Sequence, residues 1–94
     1  MNNEEQITLI VGSFSDIEAK AILLNVISTK IQFHSMKNFS AQERFGKDDN
    51  ASMKRITDLN QGLSKINELI THAKENNLHL KIHSTIHLSL IENK

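Results

Sequence analysis

The segment LHLKIHSTIHLSLI, residues 78–91, decides the fold because apolar and polar residues alternate along its whole length. One set comprises Leu78, Leu80, Ile82, Ser84, Ile86, Leu88 and Leu90. The other set comprises His79, Lys81, His83, Thr85, His87 and Ser89. A period of two places the sets on opposite faces of a strand, whereas a helix would mix them. The pattern predicts a β-strand with one face buried.

The length of this strand bears on assembly. At about 3.3 Å per residue, fourteen residues span about 46 Å. A compact chain of this size has a radius of gyration near 12 Å. The strand is therefore too long for a compact monomer. Either it bends, or a free stretch of residues 78–91 pairs with another chain, for which a second copy in a homodimer is the nearest candidate.

Composition favours the same conclusion. The 94 residues form one small domain, residues 1–94, whose core gives marginal stability by itself. The chain has no cysteine, so neither a disulfide nor a thiolate zinc site can reinforce it. Eleven basic residues balance eleven acidic residues. The net charge of zero provides no long-range attraction for nucleic acid or membranes and permits self-association.

The N-terminal sequence gives no targeting signal. MNNEEQ is polar and acidic, without the apolar core of a signal peptide. No stretch approaches the roughly eighteen apolar residues of a membrane span. We therefore expect a soluble, cytoplasmic protein.

The N-terminal third predicts a strand followed by a helix. In residues 6–12, Ile7, Leu9 and Val11 alternate with Thr8 and Ile10, and Gly12 closes the strand. Residues 15–18, SDIE, match a capping box, in which a serine and a glutamate bond each other's backbone N–H groups at a helix start.

Two apolar stripes follow along the predicted first helix. One consists of Ile17, Ala21, Leu24, Ile27 and Ile31, and its neighbour consists of Ile22, Val26, Phe33 and Met36. Such a wide apolar arc indicates contact with more than one element. Residues 31–39 fit the end of this helix or, by their alternation, a third strand.

The centre of the chain predicts two further helices. Residues 40–43, SAQE, are a second capping-box match before Gly46, which indicates a short helix over residues 40–45. Asp48, Asp49 and Asn50 offer start points for a long helix to about Asn76. Its apolar positions, spaced three and four apart, are Met53, Ile56, Leu59, Leu63, Ile66, Ile70 and Ala73.

These elements predict an α+β fold of β-α-α-β order. A helical hairpin would pack on one face of an antiparallel sheet. The first strand, at seven residues, covers only about half of the second. The long C-terminal strand would complete a four-stranded sheet across a homodimer, with the histidine face open.

The exposed face of the C-terminal strand is a candidate interaction surface, formed by His79, Lys81, His83, Thr85 and His87. Histidines four apart on a strand are about 13 Å apart, too far for one zinc ion, so a metal or ligand site needs residues from a facing strand. Nucleic-acid binding is an alternative for an open sheet, but the chain has no tyrosine or tryptophan for base stacking.

The second candidate is the charged connection between helices, with Glu43, Arg44, Lys47 and Asp48 able to contact a ligand or partner. A plain helix-to-helix turn explains the same residues. We find no catalytic, metal or cofactor motif. The sequence thus favours a non-enzymatic, homodimeric interaction or scaffold protein, or its close variant, an accessory subunit of a larger protein partner. The alternatives are a nucleic-acid-binding regulator and a histidine-based metal or ligand site.

Overall fold

The computed structural model describes residues 3–93 and has the predicted element order. Strand β1 (Glu4–Phe14) is followed by helix α1 (Asp16–Phe45), helix α2 (Asn50–Glu75) and strand β2 (Leu80–Ser89). The two strands form an antiparallel sheet and the two helices form a hairpin. The predicted α+β fold with β-α-α-β order is confirmed.

The two strands cover each other completely. Pairing runs from Glu4 opposite Ser89 to Phe14 opposite Leu80. The Leu90 N–H also donates to the Asn3 carbonyl oxygen at 2.9 Å. Strand β1 is longer than the predicted seven residues, because Glu4 and Glu5 join the ladder and pairing continues past Gly12 to Phe14. Strand β2, at 10 residues, is shorter than the predicted residues 78–91. The expectation that half of β2 lacks a partner in its own chain is therefore wrong. Each strand instead keeps one free outer edge. We call this two-stranded sheet the ribbon.

A β-bulge changes which residues of β1 share a face. Thr8 pairs with Thr85 and Ile10 pairs with Ser84, so Leu9 is an extra residue. Residues opposite each other in an antiparallel pair lie on the same face. The apolar face therefore carries the pairs Phe14–Leu80, Gly12–Ile82, Ile10–Ser84, Ile7–Ile86 and Glu5–Leu88. The predicted unbroken alternation of β1, with Ile7 and Ile10 on opposite faces, is wrong because of this bulge.

Helix α1 begins at the predicted capping box. The Glu18 N–H donates to Ser15 Oγ at 3.1 Å, and the Ser15 N–H donates to Glu18 Oε1 at 3.1 Å. The bond from the Ser15 backbone, followed by that from its side chain, lowers the pKa of Glu18 from its ordinary value. Both partners thus satisfy N–H groups that a helix start leaves free.

Helix α1 continues for 30 residues, through the ambiguous residues 31–39 and through residues 40–45, where the prediction of a separate short helix is wrong. Residues 31–39 are helical, and Ser40 starts no new helix. The first break comes at Gly46, which adopts φ +69° and donates its N–H to the Gln42 carbonyl oxygen at 2.8 Å. This left-handed conformation is the usual glycine-dependent helix end.

Helix α2 packs antiparallel to α1 through the predicted apolar positions. Ile70 and Ala73 are buried, and Ile56, Leu59, Leu63 and Ile66 are half-buried. After α2 the chain turns at Asn77, at φ +54°, and the Leu78 N–H donates to the Ala73 carbonyl oxygen at 2.8 Å. This turn directs β2 back along β1.

The helical hairpin and the ribbon diverge from their shared end. Helix α1 is about 45 Å long and the ribbon about 36 Å, whereas the chain measures 49 × 41 × 15 Å. If the helical hairpin and the ribbon, here called the two limbs, lay side by side, the molecule would be narrower than 41 Å. If they lay end to end, it would be far longer than 49 Å. The two limbs therefore lie in one flat layer at a wide angle, and α1 touches the strands only sparsely.

This flat layer has almost no interior. Among residues 3–93, only Ala19, Ser52, Ile70 and Ala73 are buried. The radius of gyration is 16.9 Å, against the roughly 12 Å of a compact chain of this length. Apolar side chains on both limbs are consequently left open to a partner.

Candidate functional site

The ribbon brings four of the five predicted surface residues onto one face. On this face, Lys81 lies opposite Ser13, His83 opposite Val11, Thr85 opposite Thr8, and His87 opposite Gln6. This face is the one opposite the apolar pairs, as predicted. His79 lies just before β2, near the start of α1, where its charge slightly lowers the pKa of Glu18.

Within one chain these histidines do not converge. The contact that His83 makes is local, with Thr85 Oγ1 at 3.4 Å from His83 Nε2. In the part of the chain that the structure describes, no group of three histidine or acidic side chains could hold a metal ion. Any chemistry shared between them therefore depends on a second strand at the ribbon edge.

The outer edge of β2 carries backbone groups of the same residues. The Leu90 N–H points to β1, and N–H directions alternate along an antiparallel strand. The backbone groups of Lys81, His83, Thr85, His87 and Ser89 therefore point to the free edge. This edge has neither proline nor bulge.

The outer edge of β1 is less suited to pairing. Its ladder is interrupted at Leu9, and a bulge of this kind discourages an added strand. Two adjacent glutamates, Glu4 and Glu5, also begin the strand. The edge of β2 is thus the better template for a second copy.

The predicted charged connection forms a fixed turn. Asp48 Oδ1 accepts hydrogen bonds from Gln42 Nε2 at 2.6 Å and from Asn38 Nδ2 at 3.3 Å. Ser52 Oγ, which is buried, donates to Asp49 Oδ2 at 2.5 Å. Asp48 therefore holds the turn against α1.

The other three predicted residues of this connection lie apart from that network on the surface. Glu43 and Arg44 are exposed in the last turn of α1, and Lys47 is exposed after Gly46. They are close in sequence without forming an enclosed site with Asp48.

A histidine between the helices was not singled out from the sequence. His34 Nδ1 is buried and has no hydrogen-bond partner among the described residues. Desolvation lowers the pKa of His34, and the charges of Lys30, Arg55 and Lys37 lower it further. Its position three residues after Ile31, on the α2-facing side, was the signal that could have identified it.

Two apolar surfaces are further candidates for contact with a partner. The "α1 stripe" consists of Ile22, Val26, Phe33 and Met36, which the sequence marked as a second apolar side of the helix. The "ribbon tip" consists of Asn3, Glu5, Ile7, Ile86, Leu88 and Leu90 at the free end of the apolar ribbon face. Ile22 is half-buried, whereas the other apolar residues of both surfaces are exposed.

No helix within residues 3–93 has the length and apolarity needed to cross a membrane. The chain matches no family model, no curated protein and no solved structure.

Proposed function

We propose that this chain is a small non-enzymatic interaction or scaffold protein that acts as a homodimer joined through β2. The observation that carries this proposal is the single flat layer with four buried residues. Folded domains bury their apolar faces between two layers of secondary structure. One copy supplies a single layer, so it needs a partner, and a second copy is always present at the same concentration. Pairing through β2 widens this layer into a larger sheet, and the apolar faces then remain available for a further contact.

The free edge of β2 supports this mode of pairing. Two β2 strands can pair antiparallel, centred either on Thr85 or on His83. In either register, residues whose backbone N–H and C=O groups point to the free edge lie opposite each other and can hydrogen-bond. The result is a four-stranded sheet of order β1-β2-β2-β1. Its histidine faces are continuous, and so are its apolar faces, on opposite sides of the sheet.

The proposed partner-binding surface is the histidine face of this four-stranded sheet, together with the helical hairpins beside it. Pairing doubles the number of copies of Lys81, His83, Thr85 and His87 on one face, which a single ribbon presents only once. A larger protein partner could then bind two equivalent sites at once, which raises avidity. The contact geometry needed for that task exists only in the dimer.

The experiment compares the wild-type chain with Thr85→Pro by light scattering and sedimentation. The Thr85 N–H points to the free edge, so proline removes a bond to the second copy without removing one to β1. We expect a wild-type mass of about 21 kDa, twice the 10.7 kDa of one chain, and a Thr85→Pro mass near that of one chain.

Thr85→Ala is the matched control, because alanine keeps the backbone N–H and should remain dimeric. Circular dichroism of all three proteins establishes that the ribbon and helices are formed. A wild-type mass of 10.7 kDa at micromolar to millimolar concentration would overturn the proposal. So would a folded Thr85→Pro protein that dimerises as tightly as Thr85→Ala.

A further inference from the structure

The α1 stripe is an unusually exposed surface for a helix of a small protein. Val26, Phe33 and Met36 are 37%, 56% and 60% exposed, respectively. They lie on a different side of α1 from Ile27 and Ile31, which are half-buried on the side facing α2. Contiguous apolar surface of this kind marks a contact site.

The ribbon tip offers a complementary shape. Asn3, Glu5, Leu88, Ser89 and Leu90 line a shallow depression at the free end of the ribbon. Ile7 and Ile86 follow it on the same face as a cross-strand pair and are 50% and 38% exposed. The apolar length of the tip is about 13 Å, close to the roughly 15 Å between Val26 and Met36 along α1.

The charges of the two surfaces are opposite. Residues 22–42 of α1 contain Lys30 and Lys37 and no acidic residue, whereas Lys20 lies on the α2-facing side beside Ile70 and Thr71. The Lys30 Nζ lies 5.0 Å from the centre of the Phe33 ring, beside the stripe. The six residues of the ribbon tip include Glu5 and no lysine or arginine, and Glu4 lies on the opposite ribbon face. Opposite charges around matching apolar patches favour a specific contact.

We propose that the ribbon tip of one copy docks on the α1 stripe of a second copy. Phe33 enters the depression at the tip, and Glu5 approaches Lys30 and Lys37 of the other chain. Glu5 shares the apolar ribbon face with Leu88, so it is presented to the partner with the depression. This inference rests on the proposed function only in that the partner is another copy of this chain. In a dimer paired through β2, each tip lies beside Leu80 of the other copy, about 25 Å along α1 from Phe33. The tip-to-stripe contact is therefore an interface separate from the β2 pairing.

The shape of the molecule favours a contact between the tip and the stripe of different copies over a contact within one chain. The ribbon leaves the helical hairpin at a wide angle, which places its tip about 30 Å from α1. Each copy therefore has one tip and one stripe that cannot meet each other. If two copies are related by a two-fold axis, the tip of each copy covers the stripe of the other. Both tips and both stripes are then covered, and the assembly is closed.

The test reverses the charges on each side separately. We expect Glu5→Lys alone, and Lys30→Glu/Lys37→Glu alone, each to raise the dimer Kd about tenfold or more, because repulsion occurs at both symmetric contacts. An equimolar mixture of the two variants should regain an affinity within about threefold of wild type. In the mixed dimer every glutamate at a tip or stripe again faces lysine.

Lys54→Glu/Lys65→Glu is the matched control, since both lysines are exposed on α2. It should dimerise like wild type and should fail to rescue Glu5→Lys. A second pair tests the apolar contact without charge: Phe33→Gln should weaken the dimer, and Phe45→Gln, outside the stripe, should not. Circular dichroism checks that each variant is folded.

Unchanged affinity of the charge variants, or a mixture that associates no better than its weaker component, would overturn the tip-to-stripe contact. If Thr85→Pro abolishes the dimer while the charge variants do not, edge pairing stands and this inference fails. If the charge variants respond and Thr85→Pro does not, this inference stands and edge pairing fails. A monomeric wild-type chain overturns both.

Discussion

The Asn38 side-chain oxygen accepts a hydrogen bond from the backbone N–H of Asp49 at 2.7 Å, across eleven residues of sequence. The Asn38 amide also donates to Asp48, so one side chain holds the start of α2 against α1. This contact fixes the turn at the far end of the helical hairpin. Both residues that Asn38 contacts, Asp48 and Asp49, therefore take part in holding this turn.

Replacing Asn38 by alanine should lower the free energy of unfolding by about 1–2 kcal/mol, because the partly buried Asp49 N–H loses its partner. Urea denaturation at neutral pH measures the change. Gln32→Ala is the control, since Gln32 is exposed in the same helix. If both variants lost the same free energy of unfolding, the stabilising role of the Asn38 contact would be contradicted.

Replacing Ser15 by alanine should cost about 1 kcal/mol, because the capping acceptor for the Glu18 N–H is removed. Ser15→Asp keeps an acceptor at the same place and should retain most of the stability. Thermal denaturation of the three proteins at pH 7 gives the comparison. An aspartate variant as unstable as the alanine variant would show that the side-chain cap contributes little.

Two glycines should respond to alanine in opposite directions. A Cβ at Gly62, inside α2, meets no atom within 4 Å, so Gly62→Ala should add about 0.5–1 kcal/mol of stability. Gly46 has φ +69°, so Gly46→Ala should lose about 1 kcal/mol. Chemical denaturation measures both, with mass in solution recorded in parallel. If Gly62→Ala lowered stability or broke the dimer, Gly62 would have to lie at a close contact between copies.

The features predicted correctly from sequence are those set by neighbouring residues. The Ser15 capping box, the Gly46 helix end and the two-residue period of β2 each depend on a few positions in a row. The second capping-box match at Ser40 was misleading because no glycine or proline interrupts the helix before Gly46. Backbone hydrogen bonding therefore continues through residues 31–45, where a local motif suggested a new start.

The features that could not be predicted depend on contacts distant in sequence. The bulge at Leu9 is defined by its register against Ser84 and Thr85, which the alternation of β1 alone does not reveal. The sequence placed the histidine face correctly because β2 has no bulge. It did not indicate that the ribbon diverges from the helices, since both limbs have apolar faces whichever partner covers them.

Protonation of His34 should destabilise the folded chain. Its folded pKa is lowered, first by desolvation and then by nearby cations, so neutral His34 is favoured in the folded state. The stabilisation is present above the ordinary histidine value of about 6.5 and is lost as pH falls below it. His34→Gln should therefore show a smaller loss of stability between pH 7.5 and pH 5.5 than wild type.

His72→Gln provides the control for this comparison, since His72 is exposed on α2. Denaturation at both pH values, at one protein concentration, separates the two variants. An unchanged pH dependence in His34→Gln, equal to that of His72→Gln, would show that His34 does not control acid stability.

Facing histidines should make the proposed β2 dimer sensitive to pH. Pairing about Thr85 places His83 of one copy opposite His87 of the other, and pairing about His83 places the two His83 residues together. Cross-strand side chains are about 5 Å apart, so imidazolium charges repel. The other charged groups on this ribbon face, Lys81 and Glu4, carry opposite signs and largely offset each other.

The dimer Kd should rise about tenfold or more between pH 7.5 and pH 5.5, measured by sedimentation on protein that circular dichroism shows to be folded. His83→Gln/His87→Gln should flatten this dependence, whereas His72→Gln should leave it as in wild type. A Kd that stays constant in wild type would mean that the histidines of the two copies do not face each other.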